Sequence, residues 1–83
     1  MLSIQHRTLL AAIITHWQQN HAGPTHRELI SVVGGSAPTI HKRIGELVEL
    51  GYVAHVHKRQ RAIVPLRDVD GVGLEIVIRR IEA

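Results

Sequence analysis

Three kinds of side chain in this chain could do chemistry: histidines, clustered fixed cations and a pair of aspartates. There are seven histidines, and imidazole is both a metal ligand and a group that titrates near neutrality. His55 and His57 fall on one face of an extended stretch, and His21 and His26 bracket a turn. Zinc sites need three or four convergent ligands, and neither pair has a third histidine or carboxylate close in sequence. The chain has no cysteine, which excludes disulfides, thiolate metal sites and cysteine nucleophiles together. No metal or cofactor is expected. Asp68 and Asp70 lie in a turn-forming stretch, where short carboxylates bond to nearby backbone. Gly34-Gly35 and Gly71-Val72-Gly73 are too short to claim a phosphate loop. No paired carboxylates fall in a candidate cleft, so an enzyme is not expected. The histidines read more plainly as hydrogen-bond partners or pH-sensitive cations.

The fixed cations are better placed to act. Lys58, Arg59 and Arg61 sit together beside His55 and His57, and Lys42 and Arg43 are adjacent. Over 83 residues, ten Lys and Arg outnumber seven Asp and Glu, giving a net charge of +3 and an isoelectric point of about 10.2. The excess is mild, so position matters more than total. A chain this short holds one core, and a hydrophobic fraction of 45% argues against global disorder. That core must be aliphatic, because Trp17 and Tyr52 are the only aromatic residues. No stretch nears the roughly 18 unbroken apolar residues of a membrane span. The opening residues lack a basic region followed by an apolar signal core. A cytosolic location without membrane attachment is expected.

The elements that must position these groups follow from punctuation and period. Ser3 caps a helix from Ile4, with Leu2 as a hydrophobic staple. Leu9, Leu10, Ile13, Ile14 and Trp17 repeat at helical spacing, and Arg7, Thr8, Thr15, Gln18 and Gln19 take the other side. This helix ends near Asn20, before the stop at Gly23-Pro24. Thr25-His26-Arg27-Glu28 is a capping box that opens a short second helix burying Leu29, Ile30 and Val33. Gly34-Gly35 turns the chain. Ser36 caps a third helix with Pro38 in its first turn. It runs to about Leu50, with Ile40, Ile44, Leu47 and Val48 on one stripe, and Gly51 stops it. Residues 52–57 and 62–66 read as strands of a hairpin with the basic tip 58–61. Residues 68–73 read as a turn, and 74–81 as a further strand rich in β-branched residues.

Helix, helix, glycine turn, helix and basic hairpin is the order of a winged helix-turn-helix, an α+β fold. In such a fold the third helix enters the major groove of duplex DNA with its N-terminal residues toward the bases. With Ile40, Ile44 and Leu47 inward, Thr39, Lys42, Gly45, Glu46 and Glu49 point out, and His41 and Arg43 lie on the flanks. Thr39, His41, Lys42 and Arg43 are therefore the candidate base-reading residues. Ser36 at the helix start suits a phosphate, and Lys58, Arg59 and Arg61 would hold the backbone. Gly45 is an oddity, since a mid-helix glycine costs about 1 kcal/mol relative to alanine. It either permits close approach to a sugar-phosphate strand or is simply tolerated.

Three stretches carry a family resemblance: Pro24-Thr25-His26-Arg27-Glu28-Leu29-Ile30, Ser36-Ala37-Pro38-Thr39-Ile40-His41-Lys42-Arg43-Ile44, and Glu46-Leu47-Val48-Glu49-Leu50-Gly51-Tyr52-Val53. Together with the opening Leu2-Ser3, they resemble the N-terminal DNA-binding domain of LexA-type repressors over about residues 2 to 66. The resemblance implies a winged helix that binds DNA through its third helix and wing. The chain departs from the family at Gly34-Gly35, Gly45 and Leu50, so no target sequence carries over. Nor do these residues include a counterpart of the family's serine-lysine self-cleaving domain.

The expectation is a DNA-binding domain at 1–67 followed by a turn and C-terminal strand at 68–83, a candidate dimerisation element. The function expected is sequence-specific binding of double-stranded DNA by a homodimer of bacterial or phage style, acting as a transcriptional repressor. No small-molecule effector is evident. The alternative is a winged-helix module that binds another protein. Single-stranded RNA is disfavoured because its readers stack bases on exposed aromatics.

Overall fold

The computed structural model describes residues 2–55 and 63–74. Ser3, in extended backbone, accepts the His6 N–H on its hydroxyl and opens α1 (Ile4–Asn20). Leu2, just before this cap, is buried in the core. One side of α1 buries Leu9, Leu10, Ile13 and Trp17. Arg7, Thr8, Thr15, Gln18 and Gln19 face solvent, as the period requires. His21 caps the C-terminus with a left-handed φ of 56° and donates its N–H to the Trp17 carbonyl.

Next comes α2 (His26–Val33), opened by the complete capping box. The Thr25 hydroxyl accepts the Glu28 N–H at 3.1 Å, and the Glu28 carboxylate accepts the Thr25 N–H at 3.0 Å. A cap of this kind contributes about 1 kcal/mol, which matters because an eight-residue helix does not persist alone. Leu29 is fully buried, while Ile30 and Val33 pack only half-buried against the edge of the core. The sequence stripe overstated their burial because a helix on the rim presents only its central residue squarely to the interior.

Gly34 has φ 78° and ψ −174°, a region open in practice only to glycine, and Gly35 follows at φ 92°. The chain thus reverses within two residues and delivers Ser36 as the cap of α3 (Ala37–Glu49). Ile40, Ile44 and Leu47 are buried in it. Val48 is not: it lies about 80° around the helix from Ile40 and is 38% exposed. The sequence placed it on the buried stripe, and the structure corrects that.

After α3 come β1 (Val53–His55) and β2 (Ile63–Pro65), paired antiparallel with Val53 opposite Pro65 and His55 opposite Ile63. The expected basic tip falls within 56–62, outside the described residues. β1 packs on α3 and β2 on α1. The second contact is pinned by a hydrogen bond: the Trp17 indole N–H donates to the Ile63 carbonyl at 2.7 Å, in a buried position. Beyond β2 the chain turns back on itself. Arg67 bridges Gly73, and the Leu74 N–H donates to the Leu66 carbonyl. Asp68 organises this turn, its carboxylate accepting the N–H groups of Asp70 and Val72. That is the backbone role expected of a turn aspartate. The expected strand at 74–81 lies outside the described residues past Leu74.

Three helices, with α2 and α3 joined by a glycine turn, and an antiparallel hairpin packed behind them make an α+β winged-helix arrangement. The core is aliphatic apart from Trp17. No helix among the described residues is long and apolar enough to cross a membrane.

Candidate functional site

The glycine turn and the Ser36 cap decide where the first two turns of α3 point. The Ser36 hydroxyl accepts the Thr39 N–H at 3.4 Å and lies 3.0 Å from the Thr39 hydroxyl. Ser36 is exposed but already works as a cap, so any contact outward uses its remaining O–H. His41 and Lys42 are exposed, Thr39 and Arg43 are half-buried. Pro38, His41, Lys42, Gly45 and Glu49 thus form the open strip of the helix. Thr39, Arg43 and Glu46 occupy a flank turned toward the body of the domain. Glu46, read from sequence as pointing out, is half-buried because its carboxylate pairs with His6 Nε2 of α1 at 3.2 Å. Lys58, Arg59 and Arg61 lie outside the described residues.

Gly45 sits on the open strip, and no described residue comes within 4 Å of the position its Cβ would take. The glycine therefore serves no packing against the described residues. Gly45→Ala is expected to stabilise the domain by about 0.4–1 kcal/mol, measured as a higher urea midpoint. An unchanged or lower midpoint would show that this glycine carries a conformational role within the fold.

The structure also assembles a group that sequence reasoning split apart. His26, the first residue of α2, lies between His41 of α3 and His55 at the end of β1. Its ring centroid is 5.4 Å from that of His41, tilted by 52°, and 6.5 Å from that of His55, stacked at 28°. His41 and His55 are exposed and His26 is half-buried. His26 Nε2 is shielded from solvent and meets no hydrogen-bond partner among the described residues. Burial, and then the positive charge that His41 and His55 can carry, hold the His26 pKa below its ordinary 6.5. The three rings lie on three different elements, α2, α3 and β1, so no local signal could have joined them. Sequence proximity pairs His26 with His21, and His55 with His57. Among the described residues no group of three or more histidines or carboxylates is placed to hold a metal ion.

The sign of the His26 shift has a consequence for stability. The unfolded chain binds a proton at His26 more readily than the folded one, so stability is full above about pH 6.5 and falls as pH drops below it. Urea titration on either side of that value is expected to show a smaller midpoint loss in His26→Gln than in the parent. An equal loss in both proteins would assign the acid sensitivity to other groups.

A separate histidine has a purely architectural place. His16 Nδ1 donates to the Ala22 carbonyl at 2.8 Å, and its Nε2 pairs with the Glu28 carboxylate at 3.0 Å. Glu28 thereby completes the capping box of α2 and ties that helix to α1.

Chemically, the open strip of α3 offers hydrogen-bond donors and positive charge on a convex helix. A shallow groove of about 450 Å³, lined by His26, Ala37, Pro38, His41 and Lys42, runs between the starts of α2 and α3. No protein-family model matches the chain, and no curated protein matches it significantly.

Proposed function

We propose that this domain binds double-stranded DNA, with α3 in the major groove and the hairpin on the adjacent backbone, and acts as a transcriptional repressor rather than an enzyme. The observation that carries this reading is the open, basic N-terminal strip of α3. His41 and Lys42 project from a helix whose other sides are occupied by the core and by contact with α1. Lysine donates to guanine O6 and N7, and histidine donates to a base or phosphate acceptor. The convex shape of the strip suits insertion into a groove. Thr39 and Arg43 stand beside it at the groove's edge, and Ser36 with the tip residues Lys58, Arg59 and Arg61 would meet phosphates. The resemblance to LexA-type repressors supports the same docking. Gly45, on the same strip, allows the helix to lie close to a strand. In Gly45→Ala a gain in stability accompanied by weaker DNA binding is the expected signature.

A homodimer on a two-fold axis is part of this proposal, with residues 68–83 supplying its contact. DNA binding also fits the cytosolic location expected from sequence. The test is selection from random duplex DNA at near-physiological salt. An enriched inverted repeat, its half-sites about 10 base pairs or a multiple apart, supports sequence-specific binding by a dimer. Enrichment of a single half-site supports a monomer. Retention without any motif, falling steeply with salt, reduces the role to phosphate contact. No retention even at low salt overturns the proposal in favour of a protein partner.

A further inference from the structure

The histidine trio lies at the junction of the three elements that the proposed DNA complex uses: the start of α2, the outer flank of α3 and the root of the hairpin. His41 and Lys42 line the groove with His26, so an anion entering there meets two imidazoles and an ammonium group. His55 stacks on the far side of His26. On α2 itself Arg27 follows His26 in sequence. The Glu28 carboxylate is directed to the Thr25 N–H and to His16 of α1. The charges that bear on His26 from α3 and β1 are those of His41 and His55.

Protonating His26 is costly in the free protein, because its burial and positive charge on His41 and His55 both disfavour a charge on its ring. The buried Nε2, without a partner among the described residues, adds to that cost, since a shielded polar atom without a hydrogen bond is itself unfavourable. An anion in the groove reverses the balance. Duplex DNA carries one negative charge per roughly 1.7 Å of axis, and its phosphodiesters stay ionised throughout the range in which histidine titrates.

We propose that His26 and His41, with His55 behind them, make DNA binding proton-coupled: a backbone phosphate in the groove between α2 and α3 is held by His26, His41 and Lys42, and the complex takes up protons as it forms. The inference rests on the DNA-binding reading above and adds a regulator to it. Mild acidification tightens the complex even as it weakens the free fold, because the phosphate supplies the counter-charge that the free protein lacks.

The experiment uses the whole chain and the duplex enriched by selection, at constant ionic strength, with circular dichroism confirming that each protein is folded. Affinity is measured about one pH unit below and one above the ordinary histidine value of 6.5. Calorimetry in two buffers of different ionisation enthalpy counts the protons taken up. Each unit by which DNA raises one histidine pKa adds up to about tenfold in affinity at the lower pH, so about tenfold tighter binding with net proton uptake is the expected result. His26→Gln is expected to cut that pH ratio to about threefold or less. His41→Gln, at an exposed position that does not support the fold, is expected to reduce it too. Equal affinity at both pH values, or a full pH ratio retained in both variants, overturns the proton coupling and leaves DNA binding standing. Absence of duplex binding at every pH and salt overturns both.

Discussion

Trp17→Ala is expected to be the most damaging single substitution in this domain, costing about 3–5 kcal/mol. Small domains have about 5 kcal/mol to lose at the lower end of the usual range, so the variant should keep about 2 kcal/mol or less and be partly unfolded at ambient temperature. The reason is position as much as size. Trp17 is the one aromatic residue in an otherwise aliphatic core, and it lies at the contact between α1 and β2. Its indole N–H also satisfies the buried Ile63 carbonyl. Removing it opens a cavity and leaves that carbonyl without its donor. Trp17→Phe separates the two effects: most of the ring packing is retained, the hydrogen bond is lost, and a cost of about 1–3 kcal/mol is expected. Urea unfolding followed by circular dichroism gives both values. If Trp17→Phe is as stable as the parent, the indole bond contributes nothing and β2 is held by packing alone. The hairpin follows the fate of this contact, since β2 reaches the helices through α1. A destabilised Trp17 variant should therefore lose wing and core together.

Lys42→Ala should have the largest effect on the proposed function without touching the fold. Lys42 is exposed, on the strip opposite the buried Ile40, Ile44 and Leu47, and surface substitutions of this kind usually change stability by less than about 0.5 kcal/mol. If Lys42 reads a base, its loss costs about 1–3 kcal/mol of DNA binding, concentrated on the selected sequence, and relaxes preference at one position. If it only holds a phosphate, affinity falls evenly on all sequences and the salt slope drops by about one. The two outcomes are told apart by measuring the selected duplex and a scrambled one across a salt series. Unchanged affinity on both would remove the open strip of α3 from the DNA-binding surface, and the proposed docking with it.

Much of the scaffold was legible in the residues. Ser3, the Thr25-to-Glu28 box, Gly34-Gly35 and Ser36-Ala37-Pro38 act through their immediate neighbours. A cap satisfies N–H groups within one turn, and a glycine relieves strain at its own φ. Such signals need no distant partner, so the three helices stand where local chemistry sets them. The inward stripe of α3 was equally plain at Ile40, Ile44 and Leu47, because helical period assigns one face of each helix. Lys42, Gly45 and Glu49 follow as its complement, whereas His41, read as flanking, joins the open strip and Thr39, read as outward, is half-buried. Asp68 likewise organises its turn through groups only two and four residues away.

What depends on two elements meeting was not written in any local pattern. Val48 and Glu46 stand on the boundaries of the α3 stripe, and their fate rests on what lies beside them. α1 brings His6 to Glu46, while no described residue covers Val48 fully. The indole bond from Trp17 to Ile63 spans 46 residues, a separation at which sequence spacing carries no geometric information. The histidine trio is of the same kind. Each ring has an unremarkable local place, at the start of a helix, on a helix flank and at a strand end. Only the packing of α2, α3 and β1 puts His41 and His55 both within reach of His26. The chain by itself therefore determined the helices, their caps and the face each one buries, because those follow from periodicity and near-neighbour hydrogen bonds. Tertiary structure alone decided which titratable groups share an environment, because charge and desolvation act through space and not along the chain.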